Sequence, residues 1–293
     1  LFARHGLSGE ESAMSKQSTL SRNFNPWPMM ILLGILTGPL AFMYVFLFVD
    51  TVTNTEAGSL MPSEFTLEHW RFLTEDIEGR PNIWAVTLNT FIFAASHTAV
   101  VLSISMTAGY ALSRLNVPFR AFFLAGVMIL HAFPTVTLLI AIFLVLQFLG
   151  LYNTLGGVIL VKAALLLPFG IWIMKGFYDT VPWEIEMAGM QDGASRFTVW
   201  RLLVLPQVMP AVFALGLFAF LDGWSEYILP QVLAPGQEVQ VLSVYLANLI
   251  ADDNNFNMNL FKSVGVFYVL PVLVLFVFFQ KRLLSMYGGG TKG

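Results

Sequence analysis

The sequence contains no cysteine, which excludes disulfides, thiolate metal sites and cysteine nucleophiles and leaves the redox compartment open. Charge is scarce as well. Only 11% of the 293 residues are Asp, Glu, Lys or Arg, against about 25% in an ordinary soluble domain, so most of the outer surface must face something other than water. A net charge of −3 offers no basic stripe to release counterions from phosphates, which argues against nucleic acid as a partner. Catalytic signatures are missing too. There is no GxxxxGK phosphate loop and hence no ATP site, no HExxH or CxxC metal motif, and no GxSxG nucleophile turn.

What is present is apolar. Hydrophobic residues make up 57% of the chain and the mean hydropathy is +0.73. Crossing the hydrocarbon core takes about 20 mostly apolar residues. Six segments qualify, at 28–50, 84–112, 120–149, 155–177, 205–230 and 261–282. Each must be a helix, because an open strand would strand unpaired backbone groups in lipid. The expected fold is therefore all-α and integral to the membrane, with six transmembrane helices. The first run, Met29 to Val49, is too long for a signal-peptide core and no small-x-small cleavage site follows it, so it reads as a retained span. Residues 1–13 precede Met14-Ser15-Lys16-Gln17, which resembles a natural start, and read as an upstream extension or a non-native remnant. The expected organisation is a tail at 1–27, a transmembrane domain at 28–283 and a tail at 284–293, without an internal repeat of the kind that builds paired-half transporters.

Basic residues set the orientation. With the amino terminus cytoplasmic, 11 of the 15 Lys and Arg lie inside, among them Arg22, Arg114, Arg120, Lys175, Arg196 and Arg201. The outside segments 50–83 and 231–260 are acidic, with Arg71 and Arg80 their only basic residues. Both termini are expected to be cytoplasmic. In the first outside segment, Phe65–Asp76 has apolar residues at helical spacing and Thr66 as an N-cap, which predicts a short amphipathic helix at the outer surface. The second carries Pro235-Gly236 and Asp252-Asp253-Asn254-Asn255, a polar loop that is either solvated or in contact with a soluble partner.

Between the fourth and fifth spans the residues predict a short helix with defined ends, near 182–192 on the cytoplasmic face. Thr180 serves as N-cap, Pro182 suits the first turn, Glu184 and Glu186 favour the positive end of the dipole, and Gly193 supplies a left-handed stop. Ser195 then caps a second helix from Arg196 to Leu205, ended by Pro206.

This loop resembles the EAA loop of binding-protein-dependent ABC permeases, which reads Glu-Ala-Ala, three residues, Gly, nine residues, then Ile-x-Leu-Pro. The corresponding residues are Glu186-Met187-Ala188, Gly193, Leu203, Leu205 and Pro206. Nine residues separate Gly193 from Leu203, as in the family, but four rather than three precede Gly193, and Met187 and Leu203 replace Ala and Ile. Asp192-Gly193-Ala194, Asn89-Thr90, Gly109-Tyr110-Ala111 and Trp224-Ser225-Glu226-Tyr227 are similar to the carbohydrate-uptake branch, in particular to the second permease of maltose-type importers.

The resemblance implies that the short helix is a coupling helix docked in a cleft of an ATPase subunit. Its contact set would be Trp183, Glu186, Met187, Ala188, Met190, Asp192 and Gly193, with Glu186 meeting a basic partner and the large apolar side chains an apolar groove. The implied assembly, in a bacterial inner membrane, has a second permease subunit forming a heterodimer with this chain, two ATP-binding subunits carrying ATP and Mg, and an extracytoplasmic solute-binding protein. No cofactor, metal or catalytic residue is assigned to this chain.

Ionisable residues inside a span are candidate functional residues by default. Asp222 and Glu226 fall at i, i+4 in the fifth predicted span, with Trp224 and Tyr227 close by. Carboxylates accept from hydroxyls and aromatic faces suit a sugar ring, so these four, with Asn89, form a candidate translocation path. His97, His131 and Lys162 are further intramembrane candidates, although a lone His there most often satisfies an interhelical hydrogen bond. The rival readings are an ion- or proton-coupled secondary transporter using Asp222 and Glu226, and an intramembrane enzyme.

Overall fold

Apolar runs of this length leave the backbone one way to satisfy itself in lipid, and helix is what they form. The computed structural model describes residues 26–54, 62, 64–251 and 256–288. The tail at 1–25, the run Asp252 to Asn255 and residues 289–293 lie outside the described residues. The backbone clusters into two compact units, one ending at Thr66 and the other beginning at Leu67.

The first unit contains α1 (Trp27–Asp50), whose residues from Pro26 to Val45 are all exposed, and a two-residue antiparallel pair, Thr53–Asn54 with Glu64–Phe65. Phe65 thus belongs to a strand and not to the predicted surface helix. That helix is a single stretch of 3-10 geometry, Glu68–Leu73, entered through Leu67 rather than capped by Thr66. Phe72 anchors it by burying its ring.

The second unit is built around α2 (Ile83–Arg114), whose first turn is capped by Asn82 accepting from Trp84 N and Ala85 N. The predicted span at 120–149 is split into α3 (Arg120–His131) and α4 (Thr135–Phe148). Pro134 is the reason: it lacks an N–H, crowds the carbonyl four residues back and is itself extended (φ −60°, ψ 127°). At 1.5 Å per residue the pieces reach about 18 and 21 Å, short of a bilayer core of about 30 Å. Among the described residues, five helices are long and apolar enough to cross a membrane.

Next come α5 (Leu155–Thr180), capped by Thr154, and α6 (Trp183–Gln191). Helix α7 (Arg196–Trp224) starts at a Ser195 cap, as predicted, but runs on through Pro206. It does so by winding one π turn, Trp200–Val204, in which Leu205 N–H donates to Trp200 O five residues back. Pro206 then falls at the start of the regular segment, where no donor is missed. The chain ends with α8 (Ile228–Leu233), α9 (Leu242–Ala251) and α10 (Met258–Gly288).

Helix α2 packs along both α5 and α7 and so forms the spine of this unit. One apolar cluster, including Ile83, Val86, Trp224, Leu242, Tyr245 and Val264, joins α2 and α7 to α9 and α10. Another, with Met174, Tyr178, Val199, Val204 and Val208, lies at the opposite end of these helices, beneath α6.

Candidate functional site

Helix α6 is predicted at 182–192 and observed at Trp183–Gln191, with its two ends made differently. Its stop is the one expected, since Gly193 has φ +86°, a conformation that costs any residue with a Cβ. Its start is not capped by Thr180. Helix α5 continues to Thr180, whose Oγ1 donates to Phe177 O, and Pro182 occupies the N-cap position.

The two faces of α6 separate cleanly. Trp183, Met187, Ala188 and Asp192 are exposed, at the i, i+4 spacing of one helical stripe, and so is Gly193. On the opposite face Gly189 is buried, and a Cβ there would stand 2.6 Å from Leu203 Cδ1 and 3.0 Å from Val199 Cγ2, so glycine lets α6 sit close to α7 without displacing either side chain. Met190 is half-buried and packs into the cluster beneath, so its contribution to an outward apolar patch is reduced.

Glu186, expected to meet a basic partner, is instead turned inward and is 2% exposed. Its Oε1 lies 2.6 Å from Arg114 Nε, and its Oε2 accepts from Tyr110 OH at 3.1 Å. Arg114, the last residue of α2, also donates through Nη2 to Tyr178 O (2.8 Å) and Val181 O (2.5 Å), and its guanidinium lies 5.2 Å over the Trp183 ring. One side chain thus ties the end of α2 to the end of α5 and to α6. The fork geometry of Arg suits this, because its donors can satisfy a carboxylate and two carbonyls at once. The cost of burying this ion pair is offset in part by the bonds of Arg114 Nη2 to the two carbonyls and of Glu186 Oε2 to Tyr110.

The intramembrane candidates meet at a second place. A cavity of about 580 Å³ is lined by Lys162, Asp222, Glu226, His131, Phe133 and Thr135, among others. It lies where two helices are interrupted, between α3 and α4 and between α7 and α8, and Lys162 of α5 faces both carboxylates. Lys162 Nζ is 2.9 Å from Asp222 Oδ1 and 2.5 Å from Glu226 Oε2. Asp222 and Glu226 do not share a helix: α7 stops at Trp224, and Glu226 follows it in the gap before α8. Glu226 is held there by its own bonds, Oε1 accepting from Leu229 N and its carbonyl from Ser243 Oγ. Asp222 is the open member, its side chain 41% exposed against 12% for Lys162 and 13% for Glu226. Behind it His97 is fully buried, with Nε2 3.7 Å from Asp222 Oδ2 and neither ring nitrogen in a hydrogen bond among the described residues. His131 Nδ1 lies 3.1 Å from Leu165 O, and since a carbonyl only accepts, Nδ1 carries the proton.

Three of the predicted path residues are elsewhere. Asn89 donates to the carbonyls of Glu238 and Gln240 and fastens that loop to α2. Trp224 is buried in the core, exchanging bonds with Tyr268: its Nε1 donates to Tyr268 O, and Tyr268 OH donates back to Trp224 O. Tyr227 is half-exposed and does not line the cavity. In the sequence Arg114 stands only as one charge among the basic residues of the inside segments, and no local pattern marks its partner.

Residues 99–285 match the family described as the inner membrane component of binding-protein-dependent transport systems. The chain belongs to that family. It is a permease subunit of an ABC importer, a multi-pass protein of the inner membrane, and the matched stretch contains α6, Arg114, Lys162, Asp222 and Glu226. The rival readings, secondary transporter and intramembrane enzyme, fall with this finding. The permease is 33% identical over 206 residues to the sulfoquinovosyl glycerol transport system permease of Agrobacterium fabrum, covering 70% of this chain and 72% of that one. Over 207 residues it is 34% identical to the maltodextrin transport system permease of Streptococcus pneumoniae, covering 70% and 74%. Its likeness to the maltose/maltodextrin permease of Escherichia coli is longer, 28% over 273 residues, covering 86% and 92%. In fold the permease is similar to a chain from the crystal structure of a bacterial ABC transporter involved in the import of the acidic polysaccharide alginate. The TM-score is 0.73 at 22% identity, covering 87% of this chain and 96% of the other.

Proposed function

We propose that this permease conducts a carbohydrate or polyol inward, with both termini cytoplasmic and with α6 as its coupling helix. Its partners in this reading are a second, different permease, two ATP-binding subunits that hold ATP and Mg, and an extracytoplasmic solute-binding protein. The saccharide names of the relatives support the cargo class, and the excess of Lys and Arg in the predicted inside segments supports the orientation.

The observation that carries the proposal is the way α6 is seated. It presents Trp183, Met187, Ala188 and Asp192 outward, while Glu186 is locked to Arg114 on the inner face. A helix held like this transmits force instead of yielding to it. Closure of an ATPase dimer would push on the outward face, and Arg114 would pass the displacement to α2 and α5 together. Helix α5 carries Lys162 and α7 carries Asp222, so sliding one past the other would open or close the ion pairs that line the cavity. Along the path, Asp222 and Glu226 would accept from cargo hydroxyls.

The test is co-purification of the permease with its operon neighbours, comparing wild type with Met187→Glu. Wild type should carry an ATPase subunit through size exclusion, and Met187→Glu should lose it while the permease itself stays monodisperse. A permease that never associates with an ATPase, or a Met187→Glu variant that binds as wild type does, would overturn the docking role of α6.

A further inference from the structure

The cavity between the two helix interruptions has a charge imbalance that bears on what can pass. Lys162 is its only lysine or arginine among the described residues, and both of that ammonium's close partners come from the chain itself. One cation against two carboxylates leaves a surplus of one negative charge. The surplus is not spread evenly. Glu226 spends one oxygen on Lys162 and the other on Leu229 N, whereas Asp222 is the member open to the cavity. His131 already uses its Nδ1 proton on Leu165 O, so it leaves the cavity no donor at that nitrogen. Much of the remaining lining is apolar, including Phe133, Leu138, Leu165, Leu166 and Leu229, and low-dielectric walls sharpen discrimination by charge. The fold does not dictate this feature, since a protein of the same fold takes part in importing an acidic polysaccharide.

We infer that this cavity admits neutral and cationic polyhydroxylated solutes, amino sugars among them, and turns away anionic ones such as uronates and sugar phosphates. The inference rests on the carbohydrate reading for the word polyhydroxylated and on the Lys162–Asp222–Glu226 geometry for the sign of the charge. Hydroxyl and ammonium groups both donate, and Asp222 can accept from either. An incoming carboxylate or phosphate would meet a like charge on Asp222, and the one ammonium that could attract it is already shared between two carboxylates.

Because the chain has no cysteine, a single introduced thiol reports on this cavity without background from the chain. Thr135→Cys lines it, and Leu138→Cys is a second position. In the complex purified with its co-eluting subunits, the thiol is labelled with trimethylammonium-ethyl and with sulfonatoethyl methanethiosulfonate, and the rates are normalised to a free thiol. The cationic reagent should be favoured about tenfold. Asp222→Asn in the same background should bring that ratio down several-fold, and Glu226→Gln should lower it less. Labelling is then repeated in maltose, glucosamine and glucuronate, where the first two should protect and glucuronate should not.

A preference for the anionic reagent, a ratio unmoved by Asp222→Asn, or no labelling at either position would overturn the inference. Protection by glucuronate equal to that by glucosamine would also overturn it while leaving the carbohydrate reading intact. A cationic preference with no protection by any sugar would keep the charge selectivity and remove the carbohydrate reading.

Discussion

The seat of α6 and the cavity between the interrupted helices are both charge clusters in a protein with few charges, and they are made in opposite ways. At the seat one cation meets one carboxylate, and Nη2 of Arg114 donates to two backbone carbonyls, with side chains 8% and 3% exposed. In the cavity one cation meets two carboxylates, and the excess stays on Asp222, the most exposed of the three. A charge-balanced cluster closed off from solvent is out of a ligand's reach and acts as a joint. A cluster with surplus charge facing space can exchange partners. Buried charge alone therefore does not mark a binding site; surplus charge open to a cavity does.

The contrast can be tested by breaking each cluster. Arg114→Ala should have the largest effect, because it leaves Glu186 buried without its cation and two carbonyls without a donor. A loss of about 3–5 kcal/mol is expected, read as a fall in thermal stability in detergent together with loss of ATPase association. Replacing both partners, Arg114→Met with Glu186→Met, should recover most of the stability and not the association. Lys162→Met should cost less, about 2–3 kcal/mol, since water can reach Asp222. A double-mutant cycle should find Lys162 coupled more strongly to Glu226 than to Asp222. Gly193→Ala forces a Cβ into a left-handed turn and should cost about 1–2 kcal/mol, with coupling of ATP hydrolysis to transport impaired beyond what that loss explains. Met187→Ser, on the open face of α6, should change stability by no more than about 0.5 kcal/mol yet weaken ATPase co-elution. An equal loss of stability from Met187→Ser and Arg114→Ala would erase the distinction between joint and docking face.

Much of this was legible in the sequence, for reasons that also explain the omissions. Hydropathy located the long helices because length and apolarity suffice for a span. It could not detect the break at Ala132–Pro134, since the run there is continuously apolar, and proline by itself is no guide. Pro39, Pro168 and Pro271 all lie inside unbroken helices of the same chain. Gly193 and Ser195 were recognisable because turns and caps are local chemistry. The Arg114–Glu186 joint was not, because its partners come from different helices and nothing near either residue announces the other. Asp222 and Glu226 meet at Lys162, with a helix end between them, and not as the neighbours on one helix face that their spacing predicts. Trp224 looked like a sugar platform from its type and position, and burial against Tyr268 gives it a packing role.

The π turn in α7 fixes an azimuth. Winding Trp200–Val204 with bonds to the fifth residue back takes up one residue more than a regular turn, and each residue of an α-helix advances the side chains by about 100°. Below the turn, Val199 faces Gly189 of α6; about five turns above it, Asp222 faces Lys162 of α5. Regular winding through the same five residues would rotate the upper segment by nearly a quarter circle and point Asp222 away from its cation. The phase between the docking end of the helix and the carboxylate end is therefore set by a single surplus residue, beside the docking end and about five turns from the carboxylate.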